Sequence, residues 1–303
     1  MNRKVLVIGA GGMLGQDICA RFAPHFALVT TSRRSGDIRL DITDGEATRR
    51  AIGETAPDVV ILCAAYTDVD GCERNPEEAY RVNAFGAANV ASACDDVGAR
   101  LLFISTDYVF DGAKRSGYTE WDAPRPLNVY GASKLAGEQW IREICPRHWI
   151  VRTAWLYGAG GKCFPRTILN AAREGKPLRV VNDQTGSPTF TGDLAGVLLE
   201  MVSANAAYGT YHAVNQGSAT WYEVACEVVN LATERGLLSA GVSVTPVSSR
   251  EWFSPTRRPA YSVLSMERLR WAGIRLPRYW KEALQDYIQR LDARGERWTT
   301  ITR

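Results

Sequence analysis

The 303-residue sequence has few of the features that mark membrane, metal-binding and nucleic-acid-binding proteins. No apolar stretch approaches the roughly 20 residues of a transmembrane helix, so we expect no membrane span. Only three histidines occur, and no Cys-x-x-Cys pair or Cys/His cluster accompanies them, which argues against a zinc site. The net charge is only +3, with acids and bases interspersed, so neither nucleic acid nor an anionic membrane is indicated as a partner.

Cysteine usage and the first residues indicate the compartment. The seven cysteines are odd in number and scattered along the chain, which is typical of free thiols in a reducing cytosol. Arg3 and Lys4 precede an apolar run and so imitate the start of a signal peptide. That run breaks at Gly9 and is better explained as a strand, so we predict a cytoplasmic protein without a signal peptide.

A glycine-rich turn follows this first apolar run. Residues 5–8 are wholly apolar, which is typical of a buried parallel strand, and a helical pattern begins at residue 13. Between them, Gly9, Gly12 and Gly15 recur at three-residue intervals. Such glycines permit a tight turn, close approach of a pyrophosphate to the backbone, and packing of the helix on the strand. The turn therefore predicts a dinucleotide site, with the helix N-terminus facing the anion; a glycine turn without a ligand is the alternative.

The residues after the second predicted strand indicate which dinucleotide is used. NAD enzymes usually carry Asp or Glu there, to bond the ribose 2′-hydroxyl. This chain has Ser32, Arg33 and Arg34 instead, and two guanidinium groups suit a 2′-phosphate. We predict NADPH, with NADH as the weaker cofactor; a solvated basic turn is the alternative. Asp41, followed by Ile42, is well placed to meet the adenine edge.

A predicted helix over residues 128–144 carries Tyr130 and Lys134 one turn apart on one face. A tyrosine ionises near pH ~10, and a neighbouring cation favours the phenolate, so we expect Lys134 to lower the pKa of Tyr130. A phenol tuned in this way is suited to donate a proton. The pattern Tyr-x-x-x-Lys also occurs by chance in surface helices, so its meaning depends on the rest of the chain.

Apolar runs alternate with helical patterns from residue 4 to about residue 155, which predicts an α/β fold with a Rossmann-type, doubly wound parallel sheet. Strands are expected at 4–8, 27–31, 58–62, 100–104 and 148–152. Helices are expected at 13–23, 44–55, 76–97 and 128–144. Ligands bind beyond the carboxyl ends of such strands, and the polar segments 64–67, 105–107 and 152–155 fall there.

The regular alternation loosens after residue 155. Helices are expected at 163–174, 191–203, 220–235 and 280–291, around a polar loop at 182–193. This part predicts a smaller C-terminal α/β lobe that binds the substrate. We divide the chain into an NADP-binding Rossmann domain at 1–155, with a return of the chain to it around 190–215, and a region at 156–303 that is mainly the substrate-binding lobe.

The motifs together resemble the extended short-chain dehydrogenases/reductases that act on nucleotide sugars, and within them the dTDP-4-dehydrorhamnose reductase family. The resemblance covers nearly the whole chain. The segments that carry it are 9–15, 64–70, 105–112, 130–138, 152–158, 183–189, 209–212 and 258–262. The glycine and Tyr-x-x-x-Lys motifs belong to the whole superfamily, whereas the middle segments are specific.

The resemblance implies that NADPH delivers hydride to the C4 carbonyl of a dTDP-linked 4-keto-6-deoxy sugar, dTDP-4-dehydro-L-rhamnose, to give dTDP-L-rhamnose. By this analogy Tyr130 donates the proton to the C4 oxygen, and Lys134 bonds the nicotinamide ribose and keeps Tyr130 acidic. Thr106 polarises the carbonyl, with the adjacent Ser105 as the alternative. Asn83 either holds a relay water or is an ordinary polar residue of its helix.

The motifs and the resemblance together assign contacts to both ligands. The expected cofactor contacts are Gly9, Gly12, Met13, Leu14, Gly15, Arg33, Arg34, Asp41, Ile42, Ala64, Ala65, Tyr66, Tyr130 and Lys134. The expected substrate contacts are Val69, Thr106, Tyr108, Tyr130, Trp155, Gln184 and Arg258. A diphosphate needs cations or backbone N–H groups, and Arg258 is the cation we assign to it; a surface salt bridge is the alternative for Arg258.

Several alternatives stay open at this point. The same motifs occur in reductases of other dTDP-4-keto-6-deoxysugars and in the non-catalytic, NADP-binding regulatory subunit of methionine adenosyltransferase. Dehydratases of this fold carry Asp and then Glu after the threonine, whereas here Asp107 is followed by Tyr108, which argues against a dehydratase and, less strongly, an epimerase. Some members of the family use Mg²⁺ at a dimer interface, so Mg²⁺ and a homodimer remain open, although no ligand set is identifiable.

Overall fold

A seven-stranded parallel sheet lies at the centre of the structure, a computed structural model that describes residues 3–34, 36–252 and 254–293. The strands are β1 Lys4–Ile8, β2 Ala27–Ser32, β3 Ile38–Arg39, β4 Val59–Leu62, β5 Arg100–Thr106, β6 His148–Thr153, β7 Leu156–Tyr157, β8 Leu178–Val181, β9 Thr185–Gly186, β10 Thr189–Phe190, β11 Gly209–His212, β12 Ala219–Thr220 and β13 Val244–Val247. The α-helices are α1 Met13–Phe22, α2 Gly45–Thr55, α3 Val69–Arg74, α4 Pro76–Tyr80, α5 Gly86–Val97, α6 Val129–Ile144, α7 Phe164–Arg173, α8 Thr191–Ser203, α9 Trp221–Glu234, α10 Glu267–Trp271 and α11 Trp280–Ala293.

The strand order across the sheet is β11-β6-β5-β4-β1-β2-β3, and every neighbouring pair is parallel. The chain moves outward from β1 to β3 and then crosses to β4 on the other side of β1. This reversal leaves a crevice beyond the carboxyl ends of β1 and β4, where ligands bind in doubly wound sheets. The predicted fold class is confirmed.

The apolar strands are covered on both faces, which explains their continuous hydrophobic runs. Alternate side chains of a strand point to opposite faces. In β1, Val5 and Val7 join a cluster with Ile18 of α1, whereas Leu6 and Ile8 join a second cluster on the other face. Helices α2, α5 and α6 contribute to this second cluster.

The later part of the chain both extends the sheet and builds a second core. Strand β11 pairs in parallel with β6, and α8 packs against α1. A third apolar cluster joins α7, α9 and α11 through side chains such as Leu169, Val228 and Leu284. Three two-stranded pairs, β10-β7, β12-β9 and β13-β8, lie outside the central sheet.

The segment expected as one helix at 76–97 is divided in the structure. Helix α4 is followed by a π-helical segment, Arg81–Phe85, and then by α5. Such segments leave one residue outside the regular α-helical hydrogen-bond pattern and often lie at functional sites. Here the segment contains Asn83, which is 1% exposed and lies against the loop that follows β4.

Two further features of the described residues bear on the expectations. No helix there has both the length and the apolar character required to cross a bilayer. All seven cysteines lie in the described part of the chain and carry free thiols.

Candidate active site

The glycine turn after β1 leaves a helix end without a side-chain cap. Gly9 has a φ of +91°, and a Cβ there would lie 2.7 Å from the Ala64 nitrogen, so the turn needs glycine. Helix α1 starts after Gly12 with no side-chain hydrogen bond to its first turn and no acidic residue there. Its first N–H groups are therefore available to an anion, and the turn fits the pyrophosphate of a dinucleotide.

A cleft of about 820 Å³ extends from this turn across the carboxyl ends of the central strands. All but two of the residues assigned to ligands from the sequence line it. Those that the structure brings together are Gly9, Gly12, Met13, Leu14, Gly15, Arg33, Arg34, Asp41, Ile42, Ala64, Ala65, Tyr66, Val69, Thr106, Tyr108, Tyr130, Lys134 and Trp155.

The two residues outside the lining are Gln184 and Arg258. The amide nitrogen of Gln184 donates a hydrogen bond of 2.9 Å to the Ser249 hydroxyl. The guanidinium of Arg258 forms an ion pair of 3.1 Å with Asp70, with both side chains partly exposed. Arg258 thus forms the salt bridge considered as its alternative, although it lies near enough to Tyr108 for its charge to lower that phenol's pKa, against a dominant rise from burial.

The end of the cleft assigned to the adenosine half is basic. Arg33 and Arg34 are exposed at its rim. The carboxylate of Asp41 accepts hydrogen bonds of 3.0 Å and 2.9 Å from the amide and hydroxyl of Thr43. Burial raises the pKa of Asp41, but these hydrogen bonds and the charges of Arg33 and Arg81 outweigh it, so the net shift is downward and the group is ionised. No carboxylate follows β2 directly at the position where a ribose 2′-hydroxyl would be bound.

Helix α6 positions the tyrosine and lysine in the middle of the cleft. Its cap is Asn128, whose side chain accepts the Gly131 N–H at 2.8 Å, so Tyr130 lies in the first turn and Lys134 in the next. The ammonium group of Lys134 is buried 3.8 Å from the centroid of the Phe103 ring.

The pKa values of this pair differ from the expectation drawn from the sequence. Burial raises the pKa of Tyr130, and the hydrogen bond from Thr106 only partly opposes this rise. Burial also lowers the pKa of Lys134 to about 7, against the charge of Glu138, which raises it. The expected lowering of the Tyr130 pKa by Lys134 is therefore wrong, because desolvation of both groups dominates.

The end of β5 distinguishes between Ser105 and Thr106. The Ser105 hydroxyl donates a hydrogen bond of 2.6 Å to the buried carboxylate of Glu138, so its proton points into the interior and away from the cleft. The Thr106 hydroxyl interacts instead with Tyr130 and with the neighbouring Asp107 carboxyl, 3.1 Å away. Of the two hydroxyls, Thr106 is the one that reaches the phenol.

A buried ion pair supports this part of the site. Arg152 of β6 donates two hydrogen bonds to Glu138 of α6, at 2.9 Å and 2.7 Å, and both side chains are almost fully buried. Burial opposes ionisation of Glu138, but the charges of Arg152 and Arg142 lower its pKa to about 2. The pair joins α6 to β6 and, through Ser105, to β5. Both residues lie in segments that carry the family resemblance, but no sequence pattern indicates that they meet.

The side chain of Asn83 forms hydrogen bonds to neighbouring residues of the protein. Its amide oxygen accepts the Tyr66 N–H at 2.8 Å, and its amide nitrogen donates to the Tyr66 carbonyl at 3.1 Å and to the Ser133 hydroxyl at 3.0 Å. The side chain therefore holds the loop after β4 against α6. These contacts match the alternative of an ordinary polar residue of its helix, and the relay water stays a prediction.

Lys162 and Trp221 are among the lining residues that were not predicted from the sequence. The Trp221 ring stacks on Trp155 with centroids 3.6 Å apart and planes 7° apart. Trp155 itself has a φ of +46°, which is rare for a residue with a side chain. In the sequence, Trp221 is an aromatic residue that follows Thr220, the N-cap of α9. This pattern predicts the start of a helix but does not indicate a ligand site.

The arrangement joins a turn suited to an anion to the partly buried phenol of Tyr130 and to the buried hydroxyl and ammonium groups of Thr106 and Lys134, all in one cleft. Such a set can bind a dinucleotide and donate a proton to an oxygen atom of a second ligand. Within the described residues, no group of three or more His, Cys, Asp or Glu side chains is arranged to hold a metal ion.

Comparison with known proteins is consistent with this geometry. The model of the family described as "RmlD substrate binding domain" matches residues 3–293. The chain is 42% identical over 288 residues to the spore coat polysaccharide biosynthesis protein SpsK of Bacillus subtilis, which covers 94% of this chain and 97% of that protein. It is 42% identical over 295 residues to the dTDP-4-dehydrorhamnose reductase of Mycolicibacterium smegmatis, which covers 95% and 86%.

A solved structure gives the same result. The dTDP-4-dehydrorhamnose reductase of Bacillus anthracis, determined in complex with NADP, superimposes with a TM-score of 0.89 at 37% sequence identity. The match covers 96% of this chain and the whole of that one.

Proposed function

Since this chain belongs to the RmlD substrate binding domain family, we propose that it catalyses the NADPH-dependent reduction of dTDP-4-dehydro-L-rhamnose to dTDP-L-rhamnose. The observation that carries the proposal is the convergence of three groups, Tyr130, Lys134 and Thr106, with the anion-binding turn in one cleft. Relatives named as dTDP-4-dehydrorhamnose reductases support the reaction and the sugar. The neighbour solved with NADP supports the cofactor.

The cofactor residues follow from the shape of the cleft. Gly9 and the open N-terminus of α1 bind the pyrophosphate, and Arg33 and Arg34 bind the 2′-phosphate. Asp41 meets the adenine edge beside Ile42. When bound, NADPH supplies the hydride.

The chain's own residues handle the proton and the orientation of the carbonyl. Tyr130 donates its proton to the C4 oxygen, and Thr106 donates a hydrogen bond to the same oxygen and so favours the negative charge that develops there. Lys134 bonds the nicotinamide ribose, which places the cofactor beside the phenol. Thr106 and Lys134 are buried and Tyr130 is partly buried, so the bound cofactor and sugar would complete the shielding of this part of the cleft from water.

The substrate residues lie on the other side of the phenol. Val69, Tyr108 and Trp155 frame the sugar, and the Tyr108 and Tyr130 rings already meet edge to face with centroids 5.9 Å apart. We assign Gln184 and Arg258 to the nucleotide half, beyond the cleft lining. Arg258 would exchange its contact with Asp70 for the diphosphate. We also propose two domains. A Rossmann domain comprises residues 1–155 together with 190–215, and a substrate-binding lobe lies within residues 156–303.

Loss of NADPH absorbance tests the reaction directly. The substrate is dTDP-4-keto-L-rhamnose, made in place by the upstream dehydratase and epimerase, and the product is identified as dTDP-L-rhamnose. A matched reaction without the epimerase presents the unepimerised 4-keto-6-deoxy sugar. Turnover only with the epimerase supports the proposal, whereas faster turnover without it would assign a reductase of another dTDP-4-keto-6-deoxysugar. NADPH binding without turnover of either sugar would favour the non-catalytic, regulatory-subunit alternative.

A further inference from the structure

Asp107 is a buried carboxyl directly behind the catalytic hydroxyl. It begins the 3₁₀ turn that follows β5, and it is 2% exposed. One carboxyl oxygen lies 3.1 Å from the Thr106 hydroxyl, and the other accepts a hydrogen bond of 2.6 Å from Ser262. No step of the proposed reduction described above uses this group.

The Thr106 hydroxyl connects Asp107 to the phenol. A hydroxyl can donate one hydrogen bond and accept two. The Thr106 oxygen already accepts the Tyr108 N–H at 3.2 Å, and it contacts the phenol of Tyr130. If Asp107 is ionised, the single Thr106 proton is drawn to the carboxylate and away from the cleft. If Asp107 is protonated, the acid donates to Thr106, and the Thr106 proton is free to point toward Tyr130 and the carbonyl oxygen.

We propose that Asp107, in its protonated form, is the proton source behind Thr106: it turns the Thr106 hydroxyl into the cleft and restores the proton that Tyr130 gives to the substrate. This inference rests on the proposed function and adds a positioning residue to that same site. Ser262 is the second partner of Asp107, and its hydrogen bond favours the ionised carboxylate.

The proton balance of the step is complete. Hydride adds to C4 of the sugar as the carbonyl π bond breaks, and the C4 oxygen takes the Tyr130 proton. The phenolate takes the hydroxyl proton of Thr106, and Thr106 takes the carboxyl proton of Asp107. Asp107 is left as a carboxylate and regains a proton from water when the product leaves. One hydride and one proton have been added to the ketone, which gives the alcohol.

The surroundings of Asp107 favour the acid form near neutral pH. Burial raises its pKa to about 7, although the hydrogen bonds from Ser262 and Thr106 act to lower it. The titratable groups that face it are the phenols of Tyr108 in its own turn and Tyr130 on α6, and its charge raises the pKa of both. Among the described residues, no lysine or arginine is a principal cause of its shift.

The pH dependence of kcat tests the inference with Asp107→Asn. The amide keeps the size and a donor toward Thr106 but cannot release a proton. Because the reaction uses protonated Asp107, wild-type kcat should fall as the pH rises through the pKa of this group. In Asp107→Asn we expect kcat to fall by roughly 10²-fold and to lose this decline. If Asp107→Asn keeps the wild-type decline, the ionisation belongs to another group, such as Lys134, and the inference is overturned.

Ser262→Ala is the matched variant, and its expected effect is of the opposite kind. It keeps Asp107 but removes a hydrogen bond to the ionised form, so the pKa of Asp107 should rise and the decline of kcat should move up by about one pH unit. An unshifted decline in a folded Ser262→Ala enzyme would also overturn the inference. This variant remains informative if Asp107→Asn does not fold.

A measurement without turnover separates this inference from the proposed function. Infrared difference spectra of the ligand-free protein, wild type against Asp107→Asn, should show the carbonyl band of a protonated carboxyl that disappears as the pH rises above neutrality. Inactive wild-type protein that shows this band would contradict the proposed reaction but not the buried acid. Active wild-type enzyme whose Asp107 is ionised throughout would contradict only the inference.

Discussion

At the scale of single residues, burial decides the chemistry of Tyr130 and Lys134 more than their mutual distance does. Desolvation disfavours the charged form of each group, so the phenol holds its proton and the ammonium group becomes more acidic. Such a phenol is a poor acid toward water. In the proposed reduction it becomes a donor when hydride transfer creates an alkoxide next to it, because the alkoxide is a strong base.

Tyr130→Phe removes this proton and little else. We expect NADPH binding to persist, because the anion-binding turn is untouched, and the reduction rate to fall by a factor on the order of 10²–10⁴. Steady-state oxidation of NADPH and a fluorescence titration of cofactor binding measure the two effects. Tyr211→Phe is the control, since Tyr211 is a buried phenol outside the cleft that donates to the Ala207 carbonyl at 2.6 Å. Near-normal turnover in Tyr130→Phe would remove this residue from the acid role.

Arg33→Ala tests the choice of cofactor. The exposed guanidinium of Arg33 can bind the 2′-phosphate of NADPH, a group that NADH lacks. Loss of Arg33 should therefore weaken the binding of NADPH but not that of NADH. We expect the Kd for NADPH to rise by roughly tenfold and that for NADH to stay within about twofold, as measured by fluorescence titration at fixed ionic strength. Arg49→Ala is the matched control, because Arg49 is exposed and pairs with Asp96 away from the cleft. An equal loss for both cofactors would show that Arg33 does not recognise the 2′-phosphate.

The residues found from the sequence are those whose motif has a local mechanism. Gly9 is required by the conformation of its turn. Tyr130 and Lys134 are one helical turn apart, so their spacing in the sequence is enough to predict that they lie close together. Glu138 and Arg152 could not be paired in this way, because their contact joins α6 to β6 and depends on the finished sheet. The burial that reverses the expected pKa shift of Tyr130 is likewise a property of the folded chain.

At the scale of elements, the predicted strands were those with long apolar runs. Strands β1, β2, β4, β5 and β6 lie within two residues of their predicted bounds, because burial on both faces requires continuous hydrophobic sequence. The two-residue strands were not predicted. A pair such as β12-β9 has too few residues for any periodicity, and it forms only because the folded chain brings its two segments together.

The start of α9 connects the third apolar cluster, formed by α7, α9 and α11, to the cleft. Trp221 stacks on Trp155, and its other side meets Phe164 of α7 with ring centroids 4.7 Å apart. The stack supports Trp155 in a backbone conformation that is unfavourable for a large residue. The position of a proposed sugar contact therefore depends on a residue that the sequence did not single out.

Trp221→Ala should disturb the substrate without disturbing the cofactor. Loss of the stack frees the Trp155 ring, so we expect the KM for the sugar nucleotide to rise by about tenfold, with the Kd for NADPH unchanged. Trp221→Phe should restore much of the loss. Trp271→Ala is the control, since Trp271 is 75% exposed and its ring lies tilted beside that of the exposed Trp121, with centroids 4.8 Å apart. An unchanged KM in Trp221→Ala would mean that the sugar does not depend on this stack.

At the scale of the whole molecule, the interior holds buried titratable groups whose effects on stability oppose each other. Burial, assisted by the charge of Arg152, lowers the pKa of His212 to about 3, and burial raises that of Asp107 to about 7. Neutral His212 stabilises the fold above the unfolded pKa of 6.5, and this contribution is lost as the pH falls. Neutral Asp107 acts in the other direction: its stabilisation is present at low pH and is lost as the pH rises from 3.8 toward 7.

Between pH 4.5 and 6.5 both His212 and Asp107 make the free energy of unfolding depend on pH. Glu138 contributes mainly below this window, because its unfolded pKa is 4.5 and its folded pKa is lower. In this window each group changes the free energy of unfolding by about 1.4 kcal/mol per pH unit, with opposite signs, so the wild type should show little net effect from the pair. His212→Asn keeps a donor for the Tyr118 and Ser265 carbonyls but removes the pH dependence that His212 gives to the free energy of unfolding. The stability of this variant relative to the wild type should therefore increase as the pH falls. Asp107→Asn should show the reverse, and His25→Asn, at an exposed histidine, should follow the wild type. Urea unfolding at a series of pH values measures these differences, and parallel curves for His212→Asn and the wild type would mean that His212 is not held neutral by the fold.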